Sequence, residues 1–229
     1  MNASVSPLHK VRAMFARNSA GAHKRRRIIQ QFVDSVGLVY FGLVDQYSDE
    51  HKIIRGFTVS SSHRDDDFSV GSFEGYDISL VNRQDMTIND KKSVTAHDWL
   101  LLEIQLLNQT NLPHLFIESR SGADSPIASI LNVTTLKKVS LGTLEEYPID
   151  FSTRYSIYAS PDHAIESQQL IPASAARSIG THFWPLSVEV LESSLIIYSY
   201  KEKVSKHLLN MMLTDGIWLA KQLDSSIFS

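Results

Sequence analysis

Four consecutive cations, Lys24-Arg25-Arg26-Arg27, form the densest charge cluster in the chain and the first candidate for chemistry. Such side chains neutralise phosphate, sulfate or carboxylate groups, Arg by forking onto two oxygens and Lys as a point charge. They fall in the first turn of a helix expected from Ala22 to Val36, where positive charge opposes the helix dipole. Two readings are open. The turn is either solvated and neutralised by the protein's own acidic body, which the composition favours, or it meets an anionic partner. That partner would be RNA, DNA or an acidic membrane surface. Lys24, Arg25, Arg26 and Arg27 are therefore the anion-binding candidates.

The remaining clusters offer less. His63-Arg64-Asp65-Asp66-Asp67 supplies hard oxygen ligands, but adjacent residues do not converge easily on one ion and the spaced EF-hand pattern is missing. The stretch reads as a solvated loop. His97-Asp98 opens a strand, where neighbouring side chains point to opposite faces. His163 and Glu166 stand at i and i+3 on a helix, a spacing used by di-iron carboxylate proteins, which need a second such motif. They read as a surface pair. No Gly-x-Ser-x-Gly elbow, Gly-x-Gly-x-x-Gly loop or Walker A sequence occurs. With no cysteine, disulfides, thiol catalysis and cysteine-ligated metals are excluded.

The sequence thus gives no catalytic residue, no metal-ligand set and no cofactor. The expected function is that of a non-enzymatic binding or scaffold protein acting through protein–protein contacts, with another protein or with itself. The alternative is a peripheral binder of anionic partners through the basic helix. A deep cleft gathering His63, Asp98 or Glu103 would count against the first reading.

These residues need a scaffold, and the 229-residue chain is long enough for a sizeable core. Its hydrophobic content of 43% and charged content of 21% are those of a globular protein. The net charge of −3 conceals a division: residues 1–33 hold seven Lys/Arg and no acid, so 15 bases face 25 acids beyond them. No apolar run reaches the roughly 18–20 residues that span a bilayer. A soluble, cytoplasmic protein is expected.

Local patterns then set the elements. A short helix is expected over Leu8–Arg17. In the basic helix, Ile28, Ile29, Phe32, Val33 and Val36 recur at helical spacing, with Gly37 as a left-handed C-cap. Strands are expected over Leu38–Val44 and His51–Ser60, then a hairpin of Phe68–Gly71 with Gly75–Asn82, and a polar loop over Gln84–Ser93. Thr95–Leu107 and His114–Ser119 read as strands, and Asp124–Val139 as a helix opened by Pro126. An antiparallel meander follows from connections too short for helical crossovers.

Beyond a linker at Gly142–Pro148, Arg154–Ala159 reads as a strand with Tyr155 and Ile157 on one face. Two helices opened by Pro161 and Pro172 follow, then a hairpin in which Leu186, Val188 and Val190 alternate and Leu195–Tyr200 returns. A terminal helix runs from Val204 to Leu223, interrupted at Gly216 at a cost of about 1 kcal/mol. The expected class is α+β, mainly antiparallel sheets in two halves with helices packed on them. Its parts are a flexible basic terminus (1–21), a helix plus β-rich half (22–142) and a β-α-α-β-β-α half (148–229).

The run FSTRYSIYASPDHAIESQQLIP, followed by SVEVLESSLIIYSY, resembles a pattern found in a group of uncharacterised bacterial proteins. There a "Phe … Arg-Tyr … Tyr-Ala" strand leads into an Asp-containing helix, a "Leu-x-Pro" helix and a "Val-Glu-hydrophobic … Tyr" hairpin. FEGYDISLVNR, the Trp99–Leu107 run and LPHLFIESR are similar to that group's first half. The resemblance spans roughly Gly56 to Asp224 and rests on turn and core residues. It implies a soluble, cytoplasmic bacterial protein and carries no activity; some relatives bear membrane anchors.

Overall fold

A computed structural model of the chain describes residues 19–44, 54, 56, 62–88, 94–107, 112–120, 136–139 and 147–226. A basic helix α1 (Ser19–Val36) ends at Gly37, whose φ of 77° is the left-handed cap that a residue without Cβ takes freely. Four strands follow as an antiparallel meander: β1 (Val39–Val44), β2 (Ser62–Phe73), β3 (Tyr76–Ile88) and β4 (Val94–Gln105). Next come β5 (Leu112–Ser119), β6 (Lys137–Val139), a short helix α2 (Ile149–Arg154) and β7 (Tyr155–Ala159). Two further short helices, α3 (Ala164–Leu170) and α4 (Ala173–Ser178), precede the hairpin β8 (Ser187–Glu192) and β9 (Ser194–Tyr200). A long helix α5 (Lys206–Ser226) follows that hairpin.

The nine strands of the described residues join one antiparallel sheet in the order β1-β2-β3-β4-β9-β8-β5-β7-β6. The protein is α+β, and strands from before and after the boundary expected at 142–148 are interleaved within that sheet. Alternation along each strand sorts side chains onto two faces. On the helical face, Ile78 and Leu80 of β3, Leu100, Leu102 and Ile104 of β4, and Leu195 and Ile197 of β9 meet Ile29, Phe32 and Val33 of α1 and Leu209, Met212 and Leu213 of α5. The distal face carries a smaller cluster of Val81, Trp99, Leu101, Phe116, Ile196 and Tyr198, covered by Ile54 and Leu136.

Several local expectations change. Asp65-Asp66-Asp67 is no solvated loop: the three lie within β2 at 0%, 7% and 1% exposure. Their burial is possible because each carboxylate has a cationic partner. Gln84–Ile88, expected in a loop, continues β3 opposite β4, and the described end of the Asp124–Val139 segment is the strand β6 rather than a helix. Arg154 closes α2 instead of opening β7. Gly216 does not interrupt α5: a Cβ there would stand 2.5 Å from Ile197 Cδ1 and 2.8 Å from Ile104 Cδ1, so glycine lets the helix lie close on β4 and β9. The expected helix Leu8–Arg17 lies outside the described residues, as does the expected strand His51–Ser60 apart from Ile54 and Gly56, which are bends.

Candidate functional site

The structure divides the basic tetrad. Arg25 Nε reaches Asp67 Oδ2 at 3.1 Å and Arg26 Nε reaches Asp67 Oδ1 at 3.5 Å, while Tyr40 donates its hydroxyl to the same Oδ1 at 2.8 Å. Asp67 sits at a bulge in β2 with φ of 58°, a left-handed conformation that aspartate tolerates better than most residues. Burial, then the hydrogen bond to Asp67, pushes the Tyr40 phenol up to about 12. Lys24 and Arg27 are exposed.

Lys24 and Arg25 also line a cavity of about 320 Å³ at the α1 end of the sheet. Each strand contributes through its inward phase. Asn82 of β3, Leu100 of β4 and Ser199 of β9 are directly paired neighbours, one row across three strands on the helical face. Asp98, two residues before Leu100, lies on the same side at the mouth. The β9–α5 connection supplies Lys201, Glu202, Lys203 and Val204, and Ile28 of α1 closes the opposite wall. Lys201 leaves β9 in a left-handed conformation (φ 54°), its N–H donates to the Asp98 carbonyl at 3.0 Å, and its ammonium lies 4.7 Å from the centre of the Tyr200 ring. Left-handed backbone at a non-glycine residue persists where its surroundings over-determine it. Here the carbonyl and the ring do so.

Two polar atoms beneath the floor, the Asn82 amide nitrogen and the Ser199 hydroxyl, have no hydrogen-bond partner among the described residues. Lys24, Arg25, Lys201 and Lys203 line the opening with Asp98 and Glu202; Arg25 is held by Asp67 and the Lys201 ammonium by the Tyr200 ring, so Lys24 and Lys203 are the cations that favour an anion there. Of the three residues that would have marked a cleft, Asp98 lines this cavity. His63 and Glu103 belong to the distal phase, where Ser194 donates to Glu103 at 2.9 Å.

The other candidates are separate from it. His97 points away from Asp98, as strand alternation requires, and its Nδ1 lies 3.1 Å from the Tyr200 hydroxyl; burial lowers its pKa. His163 Nδ1 and Glu166 Oε1 stand 4.0 Å apart, with both side chains 56% exposed, as a surface pair would. No group of three or more His, Asp or Glu is placed to hold a metal among the described residues.

Sequence reasoning missed Asn82, Ser199, Lys201 and Lys203. A signal for the first two exists. Ile78-Leu80-Asn82 and Leu195-Ile197-Ser199 are alternations whose last inward position turns polar. The lysines carry no such mark, because their placement depends on the backbone turn at Lys201.

No protein-family profile matches the chain, and no curated protein matches it. Among solved structures, the crystal structure of the mycobacterial trehalose monomycolate transport factor A, TtfA, is similar, with a TM-score of 0.56 over 89% of this chain and 94% of that one. At 8% identity the likeness is one of fold. No helix of the described residues is long and apolar enough to cross a membrane.

Proposed function

We propose that this protein works by binding, and that its partner presents an anionic group to the cavity between α1 and the β9–α5 connection. The observation that carries this reading is the convergence of Lys24, Arg25, Lys201 and Lys203 from two distant parts of the chain over one opening. It joins two of the four basic-helix candidates, Lys24 and Arg25, to cations the sequence did not single out. Arg26 and Arg27 support the local field without lining the cavity. The fold shared with a transport factor fits a binding or scaffold role in general terms.

A salt titration tests it. Binding to a single-stranded oligonucleotide, to phosphatidylserine-containing liposomes and to inorganic phosphate is measured from about 50 mM salt upward, where each phosphate contact released steepens the dependence. Replacing both Lys24 and Lys203 by Glu abolishes the interaction while far-ultraviolet circular dichroism stays unchanged. Absence of binding to all three at the lowest salt refutes the reading.

A second reading, contact with another protein chain, has its own observation. Val39, Phe41 and Leu43 alternate along β1, a sheet edge, at 56%, 60% and 49% exposure. An edge strand with an apolar outer row invites strand pairing. Sedimentation of the wild type against Phe41→Lys tests self-association, and identical monomer profiles at every concentration remove it.

A further inference from the structure

We infer that the cavity takes a small organic oxyanion, a phosphate monoester or carboxylate carried on a compact apolar body, inserted as far as Asn82 and Ser199. This rests on the anion-binding reading and narrows it, since a polyanion would lie across the rim. Depth is the first argument. Asn82 and Ser199 are 4% and 2% exposed, flank Leu100 in one row, and leave an amide nitrogen and a hydroxyl without a partner among the described residues. An unmade buried hydrogen bond is costly, and both atoms lie just beneath the cavity surface, so a ligand oxygen that reaches either one through a small shift of the floor accepts from it.

Size and lining agree with that depth. A volume of about 320 Å³ falls at the small end of ligand pockets and exceeds what inorganic phosphate fills. Ile28, Leu100 and Val204 give apolar wall to the remainder, the place for a body rather than for more charge. Asp98 and Glu202 share the mouth with the four cations. Those carboxylates repel the closely spaced charges of a polyanion, yet tolerate one anionic group that the lysines draw in past the mouth.

The full chain, labelled with nitrogen-15, is titrated with inorganic phosphate, phenyl phosphate, benzoate and a single-stranded oligonucleotide. The expected result is that phenyl phosphate or benzoate moves the Asn82 side-chain amide resonance. It also binds about tenfold or more tighter than inorganic phosphate, because the ring buries apolar surface. Which of the two binds identifies the headgroup.

Asn82→Leu lowers that affinity at least about tenfold while its melting temperature stays equal or rises. Ser199→Ala gives the same test with a smaller change of shape. If inorganic phosphate binds as tightly as phenyl phosphate, the apolar body is wrong. If the oligonucleotide perturbs Lys24 and Lys203 while no small anion reaches Asn82, the inference falls and the anion-binding reading stands. If no probe perturbs either region at low salt, both fall.

Discussion

On the distal face of the sheet, Arg83 and Asp65 are both fully buried and meet through two hydrogen bonds of 2.8 Å; one residue earlier in β3, on the helical face, Asn82 is buried with an amide nitrogen that meets no protein acceptor. The same strand thus carries a closed polar contact and an open one back to back. The distal face repeats the closed kind. Tyr198 donates to Glu189, whose other oxygen lies 2.5 Å from His114 Nε2, and Tyr158 donates to Glu118 at 2.8 Å. Buried polar groups that satisfy one another add rigidity, and those that do not are the ones free to recognise something else.

The largest effect belongs to the closed side. Burial would lower the Arg83 pKa, but the hydrogen bonds and charge of Asp65 outweigh it and hold the guanidinium above its ordinary range. Removing one partner leaves an uncompensated buried charge. Arg83→Met is therefore expected to cost about 3–5 kcal/mol in urea unfolding, and pairing it with Asp65→Leu to recover most of the loss. A cost below about 1 kcal/mol for the single variant would mean that water reaches this contact and that the distal face is no closed layer.

Next come two glycines that test how tightly the helical face is packed away from the cavity. A Cβ on Gly180 would lie 2.9 Å from the backbone nitrogen of Phe151, which cannot yield without moving α2. At Gly216 the obstacles are two isoleucine methyl ends, and the helix gains about 1 kcal/mol of propensity from alanine. Gly180→Ala is expected to cost about 2–3 kcal/mol and Gly216→Ala about 1 kcal/mol or less. The reverse order in thermal unfolding would place the looseness of the helical face at α2 rather than at the cavity.

Alkaline pH probes both faces at once. Burial first, then a carboxylate partner, raises Tyr158 on the distal side and Tyr40 and Tyr76 on the helical side to about 12 each, the partners being Glu118, Asp67 and Asp224. A raised folded-state pKa means that the folded chain holds these protons longer than the unfolded chain. Their contribution is whole below the unfolded value near 10 and is lost as the pH rises through about 12. Stability is expected to fall across that window, and Tyr40→Phe or Tyr158→Phe to flatten the decline. An unchanged slope in Tyr40→Phe would detach the Asp67 cluster from the stability of the α1 end.

The contrast also explains what the sequence made visible. The β8–β9 hairpin, the α1 stripe and the α5 helix are local patterns, because Leu186, Val188 and Val190 or Ile29, Phe32 and Val33 declare their faces within a few residues. Strand β2 does not. Its first half, SHRDDD, has the composition of a loop, and it becomes a buried strand through Arg83, 18 residues from Asp65, and through Arg25 of α1, 42 residues from Asp67. Pairing at that range leaves no trace in local periodicity. The cavity is intermediate: Asn82 and Ser199 break an apolar phase that can be read, whereas the lysines over them depend on one left-handed residue.

The smallest effect has the opposite sign. Filling the closed side with apolar groups one at a time breaks a contact, but the Asn82 amide nitrogen makes no hydrogen bond that could be broken among the described residues. Asn82→Leu removes a buried donor that pays its desolvation without a bond, and it keeps the branched shape and heavy-atom count beside Leu100, its bulkier methyls having the cavity to enter. The free chain is therefore expected to gain up to about 1 kcal/mol in urea unfolding, against the several lost one residue away in Arg83→Met. Such a gain is what the proposed ligand contact predicts, since a residue that costs the free chain stability would recover that cost when the cavity is filled. A loss of more than about 1 kcal/mol in Asn82→Leu would show instead that Asn82 has a structural partner, and the division between the two faces would close.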